Sequence, residues 1–134
     1  MTPENKQKGR TKTIMLVDDD PDINAALKVV LKRGGFSIET FDDPLDALAK
    51  YKPRFYDLLI IEVKMPNMDG FELYEKIKKV DENVKVCFLT AGELYYERFR
   101  EGKYHNLDKN LFIRKPIANA ELLKKINSTL ETAE

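Results

Sequence analysis

The residues of this chain that could do chemistry stand at the ends of short apolar runs. Ile14-Met15-Leu16-Val17 stops at Asp18-Asp19-Asp20, Leu58-Leu59-Ile60-Ile61 stops at Glu62, and Val84 to Leu89 stops at Thr90-Ala91. Leu111-Phe112-Ile113 leads through Arg114 to Lys115-Pro116. An apolar run of this length without polar alternation is expected for a strand covered on both faces. If such strands lie parallel, their carboxyl ends share one rim, and Asp18, Asp19, Glu62, Thr90 and Lys115 meet there. Converging carboxylates repel one another, and a hard divalent cation with oxygen ligands, above all Mg²⁺, resolves the repulsion. A lysine and a hydroxyl beside that cation suit a phosphoryl group, whose charge sits on oxygens that need positive neighbours.

The segments between the runs must place that rim. Pro21 after Asp20 is a helix start with its cap, and Ile23, Ala26, Leu27, Val30 and Leu31 recur at helical spacing until Gly34-Gly35. Phe36 to Phe41 is a second short strand, and Asp43-Pro44 opens a second helix through about Tyr51. Further helices are predicted over Phe71 to Val80, Glu93 to about Gly102, and Asn119 to Leu130, the last with Leu122, Leu123, Ile126 and Leu130 on one face. Strand-helix units in alternation imply an α/β chain, a doubly wound five-stranded parallel sheet with helices on both faces. In such sheets ligands bind at the carboxyl ends of the strands, which is where the polar residues fall.

Composition removes other classes. The chain has 134 residues, enough for one domain with a full core. Lys plus Arg and Asp plus Glu are each 23, so no net charge is available to grip nucleic acid or anionic lipid. No apolar run approaches the roughly 18 residues of a membrane span. A single cysteine, Cys87, inside an apolar run is expected to be a small core residue, and with no secretion signal the expected compartment is the cytoplasm. His105 has no companion at ligand spacing and is expected in a solvated loop. Residues 1–12, with Lys6, Lys8, Arg10 and Lys12 against Glu4 alone, are expected to form a basic flexible tail, and residues 13–134 the folded domain.

The run Met15-Leu16-Val17-Asp18-Asp19-Asp20, the segment from Tyr56 through Glu62 and Met65-Pro66 to Asp69-Gly70, the Leu89-Thr90-Ala91 step and Lys115-Pro116-Ile117 together resemble the receiver domain of two-component response regulators. The resemblance extends from about Thr13 to Leu130. It implies the flavodoxin-like strand order 2-1-3-4-5, a Mg²⁺-dependent phosphorylation switch that signals by protein contact, and no enzyme activity beyond the domain's own aspartyl phosphorylation and dephosphorylation. It implies that Asp18 and Asp19 hold Mg²⁺ with the carboxylate at position 62 and the backbone carbonyl of Lys64. Thr90 would contact the phosphoryl group, Lys115 would pair with it, and Phe112 would be the switch aromatic. The implied partners are a sensor histidine kinase or phosphotransfer protein and a downstream protein target, the latter received on a surface around Tyr95, Phe99 and the fifth strand. Thr90 and Phe112 are expected on the side of the sheet occupied by the fourth and fifth helices.

One position departs from the family pattern. Where the phosphate-accepting Asp is expected, this chain has Glu62. An acyl-phosphate nucleophile must attack phosphorus in line beside the metal, and one extra methylene moves the carboxylate by roughly 1.5 Å. Three explanations stand: a substitution imitating the phosphorylated state, a receiver that has lost phosphotransfer, and one that still transfers to Glu. The intact Asp18, Asp19, Thr90 and Lys115 favour the first two. The longer carboxylate is expected to reach Lys115 and make the charge-assisted contact a phosphate would make, with about one charge where phosphate has nearly two. The expected function is thus a phosphotransfer-deficient or phosphomimetic receiver, and the alternative is a pseudo-receiver acting as a phosphorylation-independent interaction module. A flavin-binding protein is disfavoured because Asp18-Asp19-Asp20 would repel the cofactor phosphate, and an Asp-x-Asp phosphatase would leave Glu62 and Lys115 unexplained.

Overall fold

A computed structural model describes residues 10–91 and 109–131. Its strands are β1 (Thr13–Val17), β2 (Ser37–Phe41), β3 (Leu58–Glu62), β4 (Lys85–Thr90) and β5 (Phe112–Arg114), and its helices α1 (Pro21–Arg33), α2 (Pro44–Ala49), α3 (Gly70–Lys78) and α4 (Asn119–Glu131). A 3₁₀ turn, Lys109–Leu111, leads into β5. The fourth expected helix, residues 93–102, and His105 lie outside the described residues.

Every strand pairs in parallel, in the order β2-β1-β3-β4-β5. β1 and β3 are buried along their whole length, as their unbroken apolar sequences require. Helix starts follow the capping logic of the sequence. The side chain of Asp20 accepts from the Asp22 amide, that of Asp43 from Leu45 and that of Asp69 from Glu72, and proline fills the first turn of α1 and α2. After α1 the chain turns at Gly35, whose φ of 98° is open to glycine at little cost.

The sheet separates two cores. On one face Met15, Val17, Leu59, Ile61, Val86 and Phe88 pack with α2 and α3 through Ala47, Phe71, Leu73 and Ile77. On the other, Ile14, Leu16, Leu58, Ile60, Cys87, Leu89 and Ile113 pack with Leu31 of α1 and with Leu122 and Ile126 of α4. Cys87 is a buried free thiol there, within 3.5 Å of the Thr129 hydroxyl.

Several element limits move by one or two residues from the sequence pattern, as helix and strand ends commonly do. Thr90 belongs to β4, Leu111 belongs to the turn before β5, and α3 starts at Gly70. A larger correction concerns sides. Phe112 packs with the α2 and α3 core, and its ring lies 5.5 Å from Phe88 and 5.8 Å from Phe71. Thr90, two residues beyond Phe88, is in phase with the same face. The last helix, α4, covers the opposite face, so Phe112 does not share its side. The reason is the register of β4 and β5: Phe88 is the direct neighbour of Phe112, and Leu89 of Ile113.

Candidate functional site

The carboxyl ends of β1, β3, β4 and β5 form the rim. Asp18 follows Leu16 and Glu62 follows Ile60 in strand phase, and Lys115 follows Ile113, so these three side chains rise from the α1 and α4 face. Thr90 rises from the other face.

The Lys115 ammonium sits between the two acids. It forms an ion pair with Glu62 Oε2 and lies 3.3 Å from Asp18 Oδ2. Asp18 is 1% exposed and Glu62 6%, so one ammonium serves two carboxylates largely withdrawn from water. The remaining oxygens use backbone donors: Asp18 Oδ1 accepts from the Asp20 amide at 3.0 Å and Glu62 Oε1 from the Val63 amide at 3.1 Å. Burial pushes the Glu62 pKa up against the opposing pull of Lys115, and Asp18 nearby pushes it the same way as burial. Burial alone would lower the Lys115 pKa, but Glu62 and Asp18 outweigh it and hold the ammonium above its ordinary value.

Backbone contacts set the height of these side chains. The Lys115 amide donates to the Thr90 carbonyl at 2.8 Å, Val63 donates to Leu89 at 2.8 Å, and Gly70 donates to Val63 at 2.8 Å. A side chain at Gly70 would strike the Glu62 carbonyl, so the start of α3 can close over the end of β3 only with glycine there. Asn67 in the intervening turn has a φ of 74°, a conformation asparagine tolerates better than most.

Thr90 ends β4 and is 3% exposed. Asp19 and Lys64 are exposed beside Asp18 and Glu62. Phe112 is half-buried with its ring turned into the aromatic group of Phe71 and Phe88. Tyr95 and Phe99 lie outside the described residues. The rim thus brings Asp18, Glu62 and Lys115 into direct contact.

The donor set suits a hard cation in part. Asp18, Asp19 and the Lys64 carbonyl offer only oxygen, and Mg²⁺ is typically held by one or two carboxylates with water completing its octahedron. Among the described residues no three His, Cys, Asp or Glu side chains are gathered closely enough to hold a metal by themselves. Glu62 and Asp18 both pair with the Lys115 ammonium.

Residues 14–127 match the response regulator receiver domain. The chain belongs to this family. Among curated proteins the receiver is similar to the sensor protein EvgS of Escherichia coli, 36% identical over 105 residues that make up 78% of this chain and 8% of that protein. It is also similar to the C4-dicarboxylate transport transcriptional regulatory protein DctD of Rhizobium meliloti, 30% identical over 84% of this chain and 24% of that protein. The chain therefore spans a small part of the length of these relatives. Among solved structures, a CheY-like receiver from Methanospirillum hungatei matches with TM-score 0.76 at 30% identity, covering 91% of this chain and 95% of that one. The Thermotoga maritima regulator TrrA, in complex with Mg²⁺ and BeF, matches with TM-score 0.73 at 30% identity, covering 89% of this chain and 99% of that one. Among the described residues no helix of the receiver is long and apolar enough to cross a membrane.

The sequence offered one further residue that its apolar spacing hid. Asn24 is buried in α1 while Ala26, expected inside, is exposed. A polar residue three and seven positions before Leu27 and Leu31 is the signal that could have found it.

Proposed function

We propose that this receiver is a two-component switch module in which Glu62 occupies the phosphoacceptor position, so that it is deficient in phosphotransfer and partly mimics the phosphorylated state. The observation that supports this most directly is the Lys115 ammonium paired with the Glu62 carboxylate. In a phosphorylated receiver that lysine would meet the phosphoryl group. Here a side chain already supplies the contact, with about half the charge of a phosphate. The Mg²⁺ expected at Asp18, Asp19 and the Lys64 carbonyl would neutralise phosphoryl oxygens when bound. This chain's residues do the rest: Lys115 holds its proton and balances the acids, Thr90 presents its hydroxyl at the end of β4, and Phe112 fills space beside Phe88.

An inward Phe112 and a lysine already drawn to the rim favour the partner-binding form. A bias of about 1.4 kcal/mol changes the ratio of forms only tenfold, so the mimicry is partial. The partners consistent with the family are a histidine kinase or phosphotransfer protein at the rim and a downstream protein on the surface near Tyr95, Phe99 and β5. Residues 13–134 constitute the switch unit. Two relatives, a sensor protein and a transcriptional regulator, put the same module in chains of very different length.

Acetyl phosphate with Mg²⁺, followed by intact-mass measurement, tests the assignment. The Glu62 protein should gain no phosphoryl group, while Glu62→Asp should gain one, because only the shorter carboxylate leaves room for in-line attack beside Thr90 and Lys115. A phosphoryl adduct mapped to Glu62 would overturn the reading and establish transfer to Glu.

A further inference from the structure

We propose that Asn24 is a positioning residue for the acidic pair, acting on Mg²⁺ affinity through the peptide that joins Asp18 to Asp19; this rests on reading that pair as the cation-holding site. Asn24 lies in the second turn of α1 and is 5% exposed. Its side-chain amide donates to the Asp18 carbonyl at 2.8 Å and to the Phe41 carbonyl at 3.1 Å. The Asp18 amide donates to that same Phe41 carbonyl at 3.2 Å. The Asp18 carbonyl is part of the Asp18–Asp19 peptide, so fixing its direction fixes the plane from which the Asp19 side chain departs. One amide group thus ties the β1 end, the β2 end and the first turns of α1 into a single frame.

The opposite side of the amide argues that these donations are why Asn stands there. Asn24 Oδ1 is buried and accepts no hydrogen bond. An unpaired buried acceptor costs stability that an apolar residue at the same core position would not. Asn24 occupies a phase where Leu27 and Leu31 would otherwise continue an apolar stripe. What the amide contributes is therefore its two donated bonds, both spent on backbone around the acidic pair. Residues in this supporting role around a metal alter affinity by about tenfold or more when removed.

Charge and position give opposite predictions at this site, which makes the proposal testable. Asn24→Asp keeps the size, removes the donors and adds a carboxylate. If Asn24 acted on the cation by electrostatics, the added charge would tighten Mg²⁺ binding. If it acts by holding the Asp18–Asp19 peptide, the loss of donors loosens it. Titrate the wild type, Asn24→Asp and Asn24→Ala with Mg²⁺ alone, following the amide signals of residues 18–22 by NMR, and record thermal melts without Mg²⁺. Both variants should bind Mg²⁺ about tenfold more weakly. Asn24→Ser, which keeps one donor on a shorter side chain, should fall between, and it carries the test if either of the others fails to fold. Unchanged Mg²⁺ affinity in a folded variant, even with a lowered melting temperature, would reduce Asn24 to a structural residue and overturn the proposal. Tighter binding by Asn24→Asp would overturn it in favour of simple electrostatics. A wild type with no Mg²⁺ response would overturn the cation reading itself, and the proposal with it.

Discussion

The two ends of the sheet hold buried or half-buried carboxylates on opposite terms. At the amino ends of the strands, Asp57 takes both arms of the Arg10 guanidinium, at 2.6 and 3.2 Å, and the Thr13 amide at 2.8 Å. Asp81 takes the Tyr51 hydroxyl at 2.6 Å and the Arg54 amide at 3.0 Å. Each of these carboxylates gathers several donors and staples separate segments together. At the carboxyl ends, Asp18 and Glu62 divide one ammonium between them. Each amino-end carboxylate is a clasp with its donors to itself. At the rim each acid also takes a backbone amide, but two like charges share one ammonium, the condition under which an added cation or proton would shift their charge most.

The largest effect should come from removing the shared ammonium. Lys115→Met leaves Asp18 and Glu62 buried with no counter-charge, and breaking such a pair from one side costs about 3 kcal/mol. Urea unfolding at neutral pH should show that loss. Adding Glu62→Gln to the same chain should recover most of it, because the residual repulsion disappears. If the double variant is as unstable as Lys115→Met, the loss comes from packing of the lysine stem and the rim is not short of charge.

A smaller effect is expected at the other end. Asp81→Ala strands the Tyr51 hydroxyl and the Arg54 amide, for about 2 kcal/mol. It should leave the Mg²⁺ binding proposed at Asp18 and Asp19 unchanged. Loss of Mg²⁺ affinity in a folded Asp81→Ala protein would mean that the two ends are coupled and that the contrast between clasp and site is misplaced.

Legibility in the sequence follows the same division. Strands β1 and β3 are readable because each carries an unbroken apolar run stopped by a carboxylate, as Leu58 to Ile61 is by Glu62, and capping pairs such as Asp20-Pro21 and Asp43-Pro44 mark where helices begin. The contact between Glu62 and Lys115 follows from chain reach once the strands are parallel. The side of Phe112 is different, since it depends on a β4–β5 register that no local pattern encodes. Asn24 is hidden because a single amide interrupts an otherwise apolar stripe. The Arg10 and Asp57 clasp joins residues 47 apart in sequence, so the segment expected to be a free basic tail is held from Arg10 on, and the Ser37 amide donates to the Lys12 carbonyl at 2.9 Å.

The smallest effect is also the one that separates the two ends by sign. Burial by itself would raise the Asp57 pKa, but Arg10 and the Thr13 amide outweigh it, and the group titrates below its ordinary value. Its contribution to stability is therefore complete above the unfolded carboxylate pKa of about 3.9 and disappears as pH falls through the depressed folded value. Glu62 answers in the other sense. Its pKa is raised chiefly by burial, so its charge costs stability as pH climbs from the unfolded value of about 4.3 through the raised folded one. Asp57→Asn should destabilise at pH 7 by no more than about 1 kcal/mol, because Arg10 is half exposed and water screens the pair. That difference should shrink toward zero in acid and in high salt. Glu62→Gln should instead gain on the wild type as pH rises across the same region. Parallel urea titrations of the three proteins across the acid range read both slopes, and slopes of the same sign would mean that the rim carboxylate is as well compensated as the clasp.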